Sequence, residues 1–241
     1  MRILLLSGAG ISAESGLRTF RDNDGLWESH RVEDVATPEA FARNPQLVHR
    51  FYNLRRAALA DVRPNPAHRA LADLQKALRT IGGDLIIVTQ NVDDLHERGG
   101  ATDVIHMHGS LTRAFCTACD HHWSCHTDLT MTAACPACQS SGTSRPDIVW
   151  FGEMPYHMPR IEAELARADL FVSVGTSGAV YPAAGFVQMA RQSGIYTLEL
   201  NLEPSLGSHW FDETRNGPAG TIVPDWAEET LASLASDDAK R

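Results

Sequence analysis

The sequence predicts an α/β protein: a Rossmann-like, doubly wound parallel sheet with a small module inserted into it. Three observations point there. Short aliphatic runs alternate with helical segments along the 241 residues, the pattern of a parallel sheet covered by helices. Four of those runs end directly in polar clusters, after Leu6, Thr89, Val174 and Leu200, and ligands of such sheets bind at the carboxyl ends of strands. From Cys116 to Cys138 the composition shifts to Cys, His and Thr with few aliphatics, which marks the insert. The sheet domain is expected over 1–110 and 145–241 and the module over 111–144, with helices within 28–64 joining the smaller part.

Ile3-Leu4-Leu5-Leu6 reads as the first buried strand. Asp22 to Gly25 reads as a turn, and Leu26-Trp27 as a buried anchor. Thr37-Pro38-Glu39 has the form of a helix start, Thr as N-cap and Pro at the first helical position. Asn44-Pro45 breaks that helix and opens another to about Asp61. Ala67 to Arg79 is amphipathic, with Leu71, Leu74 and Leu78 on one face, and Gly82-Gly83 ends it. Leu85 to Thr89 is the second buried strand, and Val104-Ile105 a short one. Asp147 to Gly152 returns to strand character. Pro159 to Ala168 reads as helix, Leu170 to Val174 as strand, Ala183 to Gln192 as helix and Tyr196 to Leu200 as strand. Thr221 to Val223 is expected as a short last strand, Pro224 to Leu234 as a last helix, and the tail from Ser236 as frayed.

Net charge is -9, which argues against generic binding to nucleic acid phosphates and is compatible with lysine-rich partners. No apolar run is long enough to span a membrane. Ile3 to Leu6 is too short for a signal-peptide core and runs directly into a glycine turn, so a cytoplasmic protein is expected. In that setting the five cysteines are not expected to form a disulfide framework.

Gly8-x-Gly10-x-x-Ala13 fits the dinucleotide fingerprint, with Ala in the permitted third place. Such a turn exposes backbone N–H groups at a helix N-terminus, where a pyrophosphate can sit. The same residues would also serve an ordinary strand-to-helix connection. Cys116-x-x-Cys119 and Cys135-x-x-Cys138, fifteen residues apart, match a structural zinc ribbon. Four thiolates close a tetrahedron and leave no position for a reactive water, so such a metal serves folding. Cys125 is left as a free thiol, and His121, His122 and His126 as solvated loop residues. His108 is a candidate general base, since imidazole titrates near neutrality. His106 competes with it, and strand alternation would turn both to one face. Asn91 and Asp93 share a face if extended, and an amide with a carboxylate can recognise a carboxamide and a ribose hydroxyl. They would equally cap a strand-end loop.

Taken together the sequence resembles a sirtuin, an NAD-dependent protein lysine deacylase. The resemblance rests on Gly8 to Gly16 with Thr19-Phe20-Arg21, Gln90-Asn91-Val92-Asp93, His108-Gly109, the four paired cysteines, Phe151-Gly152-Glu153, Gly175-Thr176-Ser177 and Asn201-Leu202-Glu203. Family members often carry Pro where this chain has Arg18. The resemblance implies that Gly8, Ala9, Gly10, Ser12, Ala13, Glu14, Gly16, Thr19, Phe20, Arg21 and Trp27 hold the NAD pyrophosphate and cover the nicotinamide ribose. The segment from Glu14 to Trp27 is then a lid. Gln90, Asn91, Val92 and Asp93 would orient ribose and carboxamide. Gly175 and Thr176 would also line the NAD site, and Ser177, Asn201, Leu202 and Glu203 would contact the adenosine half, with Ala219 near the adenine. His108 would be the general base, aided by Asn91, and the products would be nicotinamide, free lysine and 2′-O-acyl-ADP-ribose. One structural Zn2+ is implied on Cys116, Cys119, Cys135 and Cys138, and a monomer is expected. An acyl-lysine peptide would lie extended between Val149-Trp150-Phe151-Gly152-Glu153 and Gly178, Val180 and Tyr181, bound by strand addition.

Tyr52 and Arg55, at i and i+3 on a helix, share a face. A phenol beside a guanidinium suits a carboxylate, which Arg grips with two parallel bonds. On spacing alone a surface Arg beside a core Tyr reads as well. The Tyr-x-x-Arg pattern resembles the class III sirtuins that remove succinyl and malonyl groups, and Ala36 resembles their small residue that leaves room for the longer chain. Desuccinylase and demalonylase activity with retained deacetylase activity is therefore expected. The competing classes are a nicotinamide oxidoreductase, a mono-ADP-ribosyltransferase and a non-catalytic zinc-ribbon binding module.

Overall fold

Strand β1, Arg2–Ser7, sends Ile3 and Leu5 to one face of the main sheet and Leu4 and Leu6 to the other, and all four are buried. A strand buried on both faces needs this unbroken apolar run. The computed structural model describes residues 1–17, 26–27 and 30–238, with side chains left out at 26–27 and 237–238. Arg18, Thr19, Phe20, Arg21, the turn at 22–25 and the side chain of Trp27 therefore lie outside the described residues, as does most of the expected lid.

After β1 a 3-10 segment, Ala9–Ser15, opens the first connection. A two-residue pair follows, β2 (Leu26–Trp27) and β3 (His30–Arg31). Helices α1 (Val32–Val35), α2 (Pro38–Arg43) and α3 (Pro45–Ala58) come next. Thr37 caps α2, its hydroxyl accepting from Ala40 N–H at 3.0 Å, and Asn44 caps α3 at Leu47 N–H, 3.1 Å. Both caps precede a proline, whose missing N–H costs nothing at that position. Helix α4 (Pro66–Thr80) buries Leu71, Leu74 and Leu78. It is followed by β4 (Asp84–Thr89), α5 (Leu95–Arg98) and β5 (Ile105–His106).

The small sheet is β6 (Gly109–Cys116), β7 (His122–Ser124) and β8 (Ser144–Ile148), antiparallel, in the order β7-β6-β8. The chain returns through α6 (Met158–Leu165), β9 (Leu170–Val174), a 3-10 turn at Ala183–Gly185, α7 (Phe186–Gln192), β10 (Tyr196–Asn201), β11 (Glu213–Asn216) and α8 (Ala219–Asp238).

The main sheet runs β11-β10-β9-β1-β4-β5, and every pairing is parallel. Helices α4 and α8 cover one face through Leu71, Leu74, Leu78, Val223 and Trp226. Helices α6 and α7 cover the other through Ile161, Leu165, Phe186 and Val187. The sheet is thus doubly wound, as expected. From β1 the chain leaves to one side for β4 and comes back on the other for β9, so the order reverses at β1. The crevice outside the strand ends at such a reversal is where ligands enter. A third cluster joins α1–α3 to the small sheet through Val35, Ala36, Ala40, Phe51, Tyr52, Leu111, Ile148 and Trp150.

Four local expectations need correction. Thr221 to Val223 is not a strand but the first turns of α8. Thr221 and Ile222 N–H both donate to Pro218 O at 3.0 Å. Val223, Trp226, Ala227 and Thr230 are buried at helical spacing, so packing on α4 overrides the β-branched preference. The last strand is instead β11, whose burial alternates along a sheet edge. The strand at 147–152 stops at Ile148 and belongs to the small sheet, and the chain turns at Phe151-Gly152. Ser236 is inside α8, which continues to Asp238.

Candidate active site

All parallel strands end at the same edge, which brings the polar clusters after β1, β4, β9 and β10 together. Two glycine loops meet in its middle. Gly8 N–H donates to Val174 O and Gly10 N–H to Gly175 O, both at 2.9 Å. Gly175 has φ +61°, and a Cβ there would lie 2.4 Å from Ile11 N; a Cβ on Gly10 would lie 2.8 Å from Gly175 Cα. The backbones therefore touch directly, and a side chain at either position would force them apart. Among the described residues the N–H groups of Ala9, Thr176 and Ser177 have no hydrogen-bond partner. Unpartnered donors around a glycine cradle fit the pyrophosphate of a dinucleotide.

The Ser12 hydroxyl is the hub of the polar floor. It donates to Asp93 Oδ2 at 3.1 Å and accepts from Asn91 Nδ2 at 3.1 Å, with His68 Nε2 at 3.4 Å. Asn91 and Asp93 do converge, through Ser12. Burial pushes the Asp93 carboxyl above its usual value, opposed by the N–H of Leu95 and by Ser12. Gln90 N–H is tied to Ser7 O at 2.9 Å, and Val92 O accepts from Leu111 N–H at 2.8 Å. Asn201 Nδ2 donates to Thr176 O at 2.7 Å, which joins the loops after β9 and β10. Leu202 is 66% exposed, and Glu203 is also exposed. Ala13 and Gly16 lie on the 3-10 turn and its cap. Glu14 reaches across to α8, where Gly220 N–H donates to its Oε1 at 2.8 Å; Ala219 starts that helix. A carboxylate at a helix N-terminus is favoured by the helix dipole.

The two histidines separate clearly. Strand β5 ends at His106, so alternation does not hold them on one face. His106 Nε2 lies 2.6 Å from Glu97 Oε1, and its Nδ1 faces Asn91 O at 3.4 Å. Burial opposes its charge, but Glu97, the Asn91 carbonyl and Asp93 outweigh that and raise it. The Glu97 carboxylate thus favours the charged form of His106 over that of an ordinary imidazole. His108 Nδ1 lies 3.1 Å from Gln90 O, and burial lowers it below 6.5 despite that bond. With Nδ1–H donating to the carbonyl, Nε2 keeps its lone pair near pH 7 and can take a proton.

A second polar layer was not found from sequence. Ser7 Oγ meets His96 Nε2 at 2.8 Å and donates to Thr89 Oγ1 at 2.9 Å, and Thr89 Oγ1 accepts Asn91 N–H at 3.0 Å. His68 and His96 stack edge to face at 5.1 Å. Burial lowers His68 to about 4 and His96 well below its usual value. The unfolded chain takes up protons on both near 6.5. Stability should therefore be full above that pH and fall as pH drops through 6.5 toward 4. His49 and His108, which burial also lowers, act in the same sense, and His106 and Asp93, which are raised, in the opposite one. A urea midpoint lower at pH 5.0 than at pH 7.5, with a smaller difference in His96→Asn, is expected. An unchanged pH dependence in His96→Asn would remove the assignment.

Of the acyl candidates, Ala36 and Tyr52 lie in the third cluster and Arg55 is half-buried beside it. Ala36 is buried, and its carbonyl accepts Phe151 N–H at 3.0 Å. Tyr52 is fully buried and receives the indole N–H of Trp150 at 2.9 Å. Burial pushes the Tyr52 phenol up, while Trp150, then Arg55, draw it down. Arg55 and Tyr52 are thus electrostatic neighbours, and the Arg55 guanidinium lies 5.7 Å from the Phe51 ring centroid. Val149 N–H donates to His108 O at 2.9 Å, so one loop joins the candidate base to the acyl cluster.

That loop is less open to strand addition than expected. Val149, Trp150, Phe151 and Glu153 spend their N–H groups on His108 O, Glu153 Oε2, Ala36 O and Trp150 O. Its backbone groups left unspent are mainly carbonyl acceptors, and Phe151 and Gly152 are exposed. On the opposite side Tyr181 is 71% exposed, Gly178 has φ +66°, and Val180 O accepts Ala184 N–H at 2.8 Å.

In the small sheet the Sγ atoms of Cys116, Cys119, Cys135 and Cys138 all lie within 4.8 Å of one another. Cys116 to Cys138 is 3.7 Å and Cys119 to Cys135 is 3.8 Å. A tetrahedron with Zn–S near 2.3 Å has edges of about 3.8 Å, so the donor set fits zinc. Each pair is followed by a residue at positive φ, Asp120 and Gln139, which turns the chain back over the ligands. Cys125 is buried and near the Thr127 carbonyl. His122 is not a purely solvated residue: its Nδ1 lies 2.9 Å from the buried Asp147.

A model of the Sir2 family matches residues 8–182. The NAD-dependent protein deacylase of Caulobacter vibrioides is 55% identical over 234 residues, 97% of this chain and 98% of its own. That of Bdellovibrio bacteriovorus is 57% identical over 231 residues, 95% of this chain and 96% of its own. Among solved structures, a Sir2 homologue in complex with NAD is similar with a TM-score of 0.84 at 37% identity, over 97% of this chain and 90% of that one. Sir2 bound to acetylated peptide is similar with a TM-score of 0.79 at 26% identity, over 95% and 92%.

Proposed function

The chain belongs to the Sir2 family, and we propose that this NAD-dependent protein deacylase removes succinyl, malonyl and acetyl groups from lysine. The observation that carries the reading is the edge itself. Two glycine loops meet there beside Ser12, Asn91 and Asp93, and a neutral His108 hangs from Gln90 O.

Bound NAD would supply an activated ribose carbon with nicotinamide as its leaving group. The chain's part is to bind, orient and move one proton. Gly8, Ala9 and Gly10, with Gly175, Thr176 and Ser177, would hold the pyrophosphate by backbone N–H groups. Asn201, Leu202 and Glu203 would take the adenosine half, with Ala219 beside the adenine. Asn91 and Asp93, locked through Ser12, would set the ribose and the carboxamide. His108 Nε2 would accept the proton of a ribose hydroxyl. Cys116, Cys119, Cys135 and Cys138 would hold one zinc ion with a folding role, and residues 111–144 would form the module it closes. Ala36, Tyr52 and Arg55 would receive the acyl chain and its terminal carboxylate. The peptide would run extended between Val149–Glu153 and Gly178–Tyr181. A monomer located in the cytoplasm completes the proposal; no helix among the described residues is long and apolar enough to cross a membrane.

The test is NAD-dependent release of lysine from matched acetyl- and succinyl-peptides, followed by mass spectrometry, with elemental analysis for zinc. Nicotinamide and acyl-ADP-ribose in equal amounts are expected. Formation of NADH, or label from NAD retained covalently on protein, would replace the reading with hydride or ADP-ribosyl transfer.

A further inference from the structure

Trp150 sits in the segment assigned to the peptide, yet its side chain is 2% exposed and belongs to the third cluster. Its indole N–H donates to the Tyr52 hydroxyl oxygen at 2.9 Å. The two rings lie 6.3 Å apart with a 34° tilt. Three further contacts hold the indole in place. The Arg145 guanidinium carbon lies 3.3 Å from the ring centroid of Trp150, and 4.8 Å from that of Phe115. Arg145 itself is gripped by both Glu153 oxygens at 2.7 and 2.9 Å and by Ile148 O at 2.8 Å. Glu153 Oε2 also accepts the Trp150 backbone N–H at 2.8 Å. Phe41 packs on the indole at 5.3 Å. The ring is therefore held by Arg145 from the small sheet and by Phe41 from α2, in addition to its contact with Tyr52.

A phenol has one proton to donate and an oxygen that accepts. A fixed N–H on that oxygen limits the directions in which the O–H can point. In a buried site the remaining direction is then set before a substrate arrives. Preset donors lose less entropy on binding than donors that must reorient.

We propose that Trp150 is a positioning residue for acyl selectivity: its indole N–H aims the Tyr52 hydroxyl, so that Tyr52 and Arg55 meet the terminal carboxylate of a succinyl or malonyl chain as a ready pair. This rests on the acyl reading proposed above. An acetyl group ends in a methyl and gains nothing from the aimed hydroxyl, so the bond acts on the ratio of the two activities. A Trp150 that merely filled the core would act on both substrates alike.

The test uses Trp150→Phe, which keeps an aromatic ring under Arg145 and removes the N–H. A second variant replaces Trp150 with benzothienylalanine, which keeps the indole shape and exchanges N–H for sulfur. In both, the succinyl-to-acetyl ratio of kcat/KM is expected to fall about 5- to 10-fold, with the loss on succinyl-peptide mainly in KM. Combined with Tyr52→Phe, neither should lower the ratio further. A ratio unchanged in the isosteric variant, or a loss in kcat equal for both substrates, overturns the proposal. Arg55→Met is measured beside them. If it shifts the ratio while the Trp150 variants do not, the inference fails and the acyl reading stands. If Arg55→Met leaves the ratio unchanged, the acyl reading fails and takes the inference with it.

Discussion

Replacing Arg55 with Met is expected to depress desuccinylation and demalonylation far more than deacetylation. The substitution keeps most of the length and apolar stem and removes the charge. A hydrogen bond to a charged group contributes about 1.5–3 kcal/mol, and about 1.4 kcal/mol is a factor of ten in rate. The succinyl-to-acetyl ratio of kcat/KM should therefore fall roughly 10- to 100-fold. The geometry favours a large effect. Tyr52 is fully buried in the same cluster as Ala36, and Arg55 acts on it electrostatically. A carboxylate entering that space gives up water and must be paired to remain charged. Steady-state kinetics on matched peptides measures this directly. Equal loss on both substrates would mean that Arg55 supports the helix or the peptide rather than the acyl end, and would sink the selectivity.

Much of this arrangement was legible in the residues. The run Leu4-Leu5-Leu6 has to be buried on both faces, and a two-faced strand followed by glycines already implies a covered parallel sheet. The cysteine spacing carried the metal module because two knuckles need only local chain to form. Thr37, Asn44 and their following prolines marked helix starts for equally local reasons. Long-range partners were not legible. Ser7 and His96 are 89 residues apart and Trp150 and Tyr52 are 98 apart, and nothing in their neighbourhoods announces the pairing. Trp150 read as part of a strand facing a peptide, whereas its ring is captured by Arg145 from the small sheet. Thr221 to Val223 read as strand because local preference ignores α4, against which that segment packs. Strand β11 was missed because Glu213–Asn216 is an edge whose residues are polar. The resemblance already picked His108 over His106; what the fold adds is their surroundings, Glu97 beside His106 and the Gln90 carbonyl beside His108.

That choice sets the second large effect. His108→Tyr is expected to lower deacetylation and desuccinylation alike by about 10²–10⁴, the usual contribution of a positioned general base, while NAD still binds. The cradle proposed for the pyrophosphate consists of backbone around Gly8, Gly10 and Gly175, and the imidazole is not part of it. The wild-type pH profile should carry the same signature. Burial holds His108 below 6.5, and the base is active only when neutral. Activity should therefore be level above about pH 7 and fall as pH drops through that lowered value, for both substrates. A base at His106 would give the opposite placement. Glu97 raises that imidazole, so its acid limb would lie above 6.5 and Glu97→Gln would move it down. Isothermal titration of NAD into His108→Tyr, with pH profiles of wild type and Glu97→Gln, separates the two. Substantial turnover in His108→Tyr, or a limb that follows Glu97, would transfer the proton to His106. His108 is the proposed base on chemical grounds: a carboxylate beside His106 favours its protonated form, which has no lone pair to offer, whereas burial favours neutral His108, and its Nδ1 contact with a carbonyl leaves Nε2 ready.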